Sequence, residues 1–112
     1  MLPFEVCRRD EADHCLVAVH GEVDLATAPT LRTELQAVLD DEPAAVVLDL
    51  DAVPFLDSTG LGVLVAAYKR ATALGIPLRL ARPRRIVANA LTLVRIDTVI
   101  PVHDTIEDAV AG

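Results

Sequence analysis

Ala44-Ala45-Val46-Val47-Leu48-Asp49-Leu50 is a nearly unbroken apolar run near the middle of the chain. A strand buried on both faces reads this way, as in the centre of a sheet flanked by helices. Directly after it, beyond Pro54, the apolar residues change period. Leu61, Leu64, Val65, Tyr68 and Ala71 recur at helical spacing. Before it, Ala28, Leu31, Leu35, Val38 and Leu39 do the same. A buried strand between two amphipathic helices is the unit from which α/β sheets are built.

Toward the N-terminus, Phe4 to Arg9 and His14 to His20 read as short strands around the polar turn Asp10-Glu11-Ala12-Asp13. Thr27 is a candidate cap for the first helix, Pro29 suits its first turn, and Asp40-Asp41-Glu42-Pro43 ends it. Ser58 stands where the N-cap of the second helix belongs, and Gly75-Ile76-Pro77 closes that helix. Leu78 to Ala81 is a further strand, and Ile86, Ala90, Leu93 and Val94 mark a third helix. Asp97 to Val102 is expected to be the last strand, and Thr105 to Val110 a short closing helix. The order β-β-α-β-α-β-α-β-α predicts a mostly parallel sheet, opened by a β-hairpin, with helices packed on it. One domain over residues 4–110 is expected, with no second domain.

Composition agrees. The chain has 112 residues, 53% hydrophobic and only 3% aromatic, so the core is built from Val, Leu, Ile and Ala. Such a chain has ample apolar surface to bury and is not disordered. Ten basic residues stand against 17 acidic ones, a formal charge of −7. That balance disfavours nucleic acid and anionic membranes, which select basic surfaces. The charge is uneven: residues 1–57 hold 13 acids and 3 bases, whereas residues 58–112 hold 4 acids and 7 bases. No apolar run reaches the ~18 residues a membrane span needs, and the first residues lack a signal-peptide pattern. A cytoplasmic protein is expected. Cys7 and Cys15 are too few for a disulfide framework and lack zinc-type spacing, so two reduced strand cysteines are expected, although a hairpin could bring them together.

Three segments stand where chemistry gathers: Gly21-Glu22-Val23-Asp24-Leu25, Asp49-Leu50-Asp51, and Asp57-Ser58-Thr59-Gly60-Leu61-Gly62. Loops after the carboxyl ends of strands in α/β sheets carry functional residues. Ser58 reads either as a plain helix cap or as a modifiable, partner-contacting serine on a helix end stripped bare by Gly60 and Gly62. Enzyme readings find little support. The Gly-x-Ser-x-Gly elbow is absent because Leu56 occupies the first glycine position, and His14, His20 and His103 are not placed near Ser58 by sequence. There is no phosphate-binding loop, and the only lysine, Lys69, lies inside the second helix. Asp24, Asp49, Asp51 and Asp57 read as solvated acids at strand ends, so no metal or other cofactor is expected. Arg82, Arg84 and Arg85 read as a solvated helix entrance or as a partner contact.

The segments Gly21-Glu22-Val23-Asp24-Leu25-Ala26-Thr27-Ala28, Val47-Leu48-Asp49-Leu50 and Phe55-Leu56-Asp57-Ser58-Thr59-Gly60-Leu61-Gly62-Val63-Leu64 together resemble bacterial STAS domains of the anti-sigma factor antagonist type. The resemblance runs from Phe4 to Val110. It implies a non-enzymatic, partner-switching regulator of sporulation or stress-response transcription. Such a protein binds an anti-sigma factor that is also a serine kinase and so releases the sigma factor. Phosphorylation by that kinase breaks the complex, and a PP2C-type phosphatase restores it. The family's acceptor serine falls on Ser58, with Thr59 as the rival, and its acidic partner-binding residue on Asp24. Asp57, Ser58, Thr59, Gly60, Leu61 and Gly62 are then expected to touch the partner, and the free protein to be a monomer. The alternative implied by the resemblance is a constitutive STAS interaction module in a stressosome-type scaffold or a lipid-transport complex. Many relatives carry a Thr-Gly-Leu-like turn after the third helix, where this chain has Val94-Arg95-Ile96.

Overall fold

A computed structural model describes residues 3–112. The chain forms β1 (Glu5–Asp10), β2 (Cys15–His20), α1 (Ala28–Asp40), β3 (Val46–Ala52), α2 (Ser58–Ala73), β4 (Leu78–Ala81), α3 (Arg85–Leu93), a 3-10 turn (Ile96–Thr98), β5 (Val102–His103) and α4 (Ile106–Ala111). The five strands lie in chain order, β1-β2-β3-β4-β5. Only the β1–β2 hairpin is antiparallel; β2–β3, β3–β4 and β4–β5 are parallel. This is the single α/β architecture expected from the alternation of periods.

Side chains alternate across a strand, so β2, β3 and β4 each feed two cores. Cys15, Val17 and Val19 of β2, Val46, Leu48 and Leu50 of β3, and Leu78 and Leu80 of β4 face one way. They meet Leu31, Leu35 and Leu39 of α1, Val63 and Leu64 of α2, and Val87 and Leu91 of α3. On the other face Leu16, Val47 and Ala81 pack under Ala109, Ile106 and Val110 of α4. The buried leucines each contribute on the order of 1.5–3 kcal/mol by leaving water. Both faces of β3 are covered, which is why its sequence shows no apolar–polar alternation until Asp49.

One expectation fails here. The strand expected over Asp97 to Val102 shrinks to Val102–His103. Arg95 adopts a left-handed conformation (φ 60°) just past the end of α3, a position where glycine is the usual residue. The chain then tightens into the 3-10 turn, held by Thr92 Oγ1 donating to Asp97 Oδ2 at 2.8 Å and Thr98 Oγ1 donating to the Arg95 carbonyl at 2.6 Å. The hairpin also keeps the cysteines apart. Its register pairs Cys7 with Ala18 and Asp10 with Cys15, so the two thiols lie three rungs apart on opposite faces. Cys7 is exposed, Cys15 is buried, and both are free. Among the described residues, no helix is long and apolar enough to cross a membrane.

Candidate functional site

The first and third of the segments singled out in the sequence, residues 21–25 and the stretch leading into Asp57-Ser58, are brought together outside the sheet proper. Beyond β2 the chain turns at Gly21 (φ 110°), whose N–H donates to the Ala52 carbonyl at 3.0 Å. It then runs beside residues 53–57: Val23 N–H donates to the Phe55 carbonyl (3.0 Å), and Asp57 N–H to the Val23 carbonyl (3.1 Å). Val23 and Leu56 form a parallel bridge, and both are buried. Asp24 and Asp57 each follow a bridged residue, so the two acids stand side by side on neighbouring segments, both half-buried.

Asp24 has local work to do. Its Oδ1 accepts from the backbone N–H of Ala26 (2.9 Å) and of Thr27 (3.1 Å). Thr27 does not cap α1 with its side chain, contrary to expectation. Its hydroxyl instead donates to the Glu22 carbonyl (2.7 Å) and accepts from Asp24 N–H (3.0 Å). Together these bonds lock the turn over residues 22–27 and leave Leu25 at its tip 76% exposed.

The cap of α2 is Asp57, not Ser58. Asp57 has extended backbone and its Oδ1 accepts from Gly60 N–H at 3.0 Å. Ser58 is the first residue of the helix and is exposed, whereas Thr59 is half-buried. A carboxylate here serves the helix twice, as an acceptor for a first-turn amide and as negative charge at the positive end of the dipole. Asp57 takes the Gly60 amide and its carbonyl takes that of Leu61, so this cap does not use the amides of Ser58 and Thr59. The serine hydroxyl is thereby spared from capping.

The two glycines differ. A Cβ on Gly60 would lie 2.7 Å from Val23 Cγ1 and 2.8 Å from Leu56 Cδ1, so glycine lets α2 start against the bridged segments. A Cβ on Gly62 would meet nothing within 4 Å, and that residue is exposed. Leu61 between them is half-buried and packs on the core.

Asp49 departs from the expectation of a solvated surface, and two of the arginines, though exposed, bond within the fold. Asp49 is 7% exposed and receives two bonds from Arg82, Nε to Oδ1 at 3.1 Å and a terminal nitrogen to Oδ2 at 2.7 Å. Arg84 Nε donates to the Asp51 carbonyl at 2.6 Å. Arg82 itself holds a left-handed conformation (φ 54°), and Asp49 beside it pushes its guanidinium pKa above the ordinary arginine value. These two arginines fasten the β4–α3 loop to the end of β3; all three arginines are exposed. The pair was hidden in the sequence because its members lie 33 positions apart.

Among the described residues, no histidine is hydrogen-bonded to Ser58. His14 lies at the hairpin end of β2 and its ring pairs with Asp13 at 2.7 Å, while His20 and His103 sit on the sheet. A depression of about 80 Å³ between α1 and α2, lined by Arg32, Leu35, Gln36, Leu39, Val63 and Ala67 among others, offers no nucleophile or carboxylate. Among the described residues, no group of three or more His, Cys, Asp or Glu could hold a metal ion.

The STAS domain profile matches residues 5–109. The anti-sigma-F factor antagonist RsfB of Mycobacterium tuberculosis is 34% identical over 107 residues, covering 90% of this chain and 84% of its own. An anti-sigma-B factor antagonist of Listeria monocytogenes is 40% identical over 68 residues, 61% of this chain and 59% of that one. The crystal structure of an anti-sigma factor antagonist from Mycobacterium paratuberculosis superposes with a TM-score of 0.86 at 32% identity, covering 97% of this chain and 92% of that one.

Proposed function

The chain belongs to the STAS domain family, and its relatives include anti-sigma factor antagonists; on that premise we propose that it binds an anti-sigma factor with serine kinase activity and so releases the sigma factor. Phosphorylation of Ser58 switches it off, and a PP2C-type phosphatase restores it. It acts by binding and not by catalysis.

The observation that carries this reading is the exposed Ser58 on the first turn of α2, relieved of capping by Asp57 and set beside the Asp24 segment. In the modifying step the kinase would transfer the γ-phosphoryl group of ATP to Ser58 Oγ, with loss of the hydroxyl proton and departure of ADP. The phosphate adds about −1.5 to −2 charges and three acceptor oxygens. At a helix N-terminus those oxygens meet first-turn amides and the positive end of the dipole, so the fold tolerates them. A docked partner faces the opposite situation: the new charge and bulk arrive inside the interface, next to two carboxylates already there. Thr59 is the poorer acceptor because it is half-buried.

Incubation with ATP and the cognate anti-sigma factor, followed by intact mass measurement, tests the reading. One added phosphate that disappears in Ser58→Ala, with loss of the complex on phosphorylation, is the expected result. Stable binding without any phosphate gain would instead indicate a constitutive interaction module.

A further inference from the structure

Within the candidate site, two large apolar side chains point into water. Leu25 is 76% exposed and Phe55 is 44% exposed. A single exposed leucine on a protein surface needs no explanation. Here two features set the pair apart. The segments that carry them are bonded to each other, Val23 N–H to the Phe55 carbonyl at 3.0 Å, so the two residues belong to one rigid unit. Leu25 also sits at the tip of a turn locked by Asp24 and Thr27, which holds the backbone that presents it. Side chains held out in advance lose little freedom when a partner covers them, which is how preorganisation raises affinity.

We propose, building on the partner-switching reading, that Leu25 and Phe55 are the apolar anchors of the docking surface: they set affinity for the anti-sigma factor, while Ser58 sets only whether docking is allowed. The partner accordingly presents an apolar hollow to each. The charges on the surface decide against a second copy of this chain as the occupant. A two-fold symmetric contact lays the same patch on itself, and this patch carries Asp24 and Asp57 side by side with Glu22 exposed nearby. Like charges would then meet across the interface.

Calorimetric titration of the unphosphorylated full chain with its cognate anti-sigma factor tests the proposal. Leu25→Ser and Phe55→Ser should each weaken binding by about ten-fold or more, a size typical of central interface anchors. Leu25→Ser should leave thermal melting unchanged, because the side chain is already in water. Leu93→Ser removes a leucine that is 84% exposed at the far end of α3, and should leave both affinity and melting unchanged. Leu25→Ser binding within about two-fold of the parent, while Ser58→Asp binds poorly, overturns the anchors and leaves the switch standing. A parent chain that binds no anti-sigma factor overturns the switch, and the anchors with it. A parent that forms a dimer broken by Leu25→Ser assigns the patch to a second copy, which also overturns the proposal.

Discussion

Val23 and Gly60 approach so closely that a methyl group on Gly60 would stand 2.7 Å from Val23 Cγ1. Val23 is fully buried and β-branched, and it cannot swing aside. Gly60→Ala is therefore expected to destabilise the domain by about 1–3 kcal/mol through overpacking, despite the better helix propensity of alanine. Gly62→Ala meets open space and should stabilise by about 0.5–1 kcal/mol. Urea denaturation of the two variants measures both. If Gly62→Ala is more stable yet docks poorly, its hydrogen is needed by the partner and not by the fold.

Asp57 rather than Ser58 caps α2, and denaturation separates the two residues. Asp57→Ala should cost about 1 kcal/mol, the typical value of a lost cap. Ser58→Ala should change stability by less than about 0.5 kcal/mol, as at other exposed sites. The reverse order would return the capping role to Ser58. Ser58→Asp should likewise stay folded while losing the partner; unfolding by that substitution would contradict a switch that works through the interface alone.

The Asp49–Arg82 pair gives a third prediction. Arg82→Ala leaves a carboxylate at 7% exposure with its main partner removed. Arg82 is itself partly exposed, so water relieves some of the loss, and destabilisation of about 1–3 kcal/mol is expected. Replacing both residues with leucine should cost less than the sum of the two single changes, since no orphaned charge remains. A simple sum would show that the pair is not coupled.

Cys15 provides a pH test. Burial, with Asp10 adding to it, pushes its thiol up from the ordinary 9.0 to about 11. Since the folded value is the higher one, the folded state favours the protonated thiol. Its contribution is whole below about pH 9 and fades as pH rises through about 11. The urea midpoint should fall over that window, and less so in Cys15→Val. In the native protein at neutral pH a thiol reagent should modify Cys7 alone, and both cysteines only after unfolding.

What was legible in the sequence was whatever lies in local pattern. The apolar run ending at Leu50, the helical spacing of Leu31, Leu35 and Leu39, and the strand Leu78–Ala81 each appear in the structure where periodicity predicts them. The β5 region misled because Ile96, Val99 and Ile100 look strand-like, while the left-handed Arg95 ahead of them forces a tight turn. A neighbouring pair of capping residues, Asp57 and Ser58, cannot be ranked by type alone; the extended backbone of Asp57 decides. Thr27 turned back to Glu22 and Asp24 for the same kind of reason, since several backbone groups competed for one hydroxyl. The fastening of Arg82 to Asp49 depends on two strands lying side by side, which no local reading supplies.

Each strand of this sheet pairs only with its neighbours in the chain, β1 through β5 in order. No later strand has to slip between two earlier ones. The domain can thus be assembled by accretion: the hairpin forms first as the local unit, and each following helix and strand then adds to a growing edge. Such an order keeps loop closures short, which favours quick folding. It also sets the direction of unravelling. The strand added last, two-residue β5, has one strand neighbour and should exchange its amide hydrogens well before β2 and β3. The paired segments around Ser58 hang instead from the interior strands, so that surface stays ordered when the far edge opens.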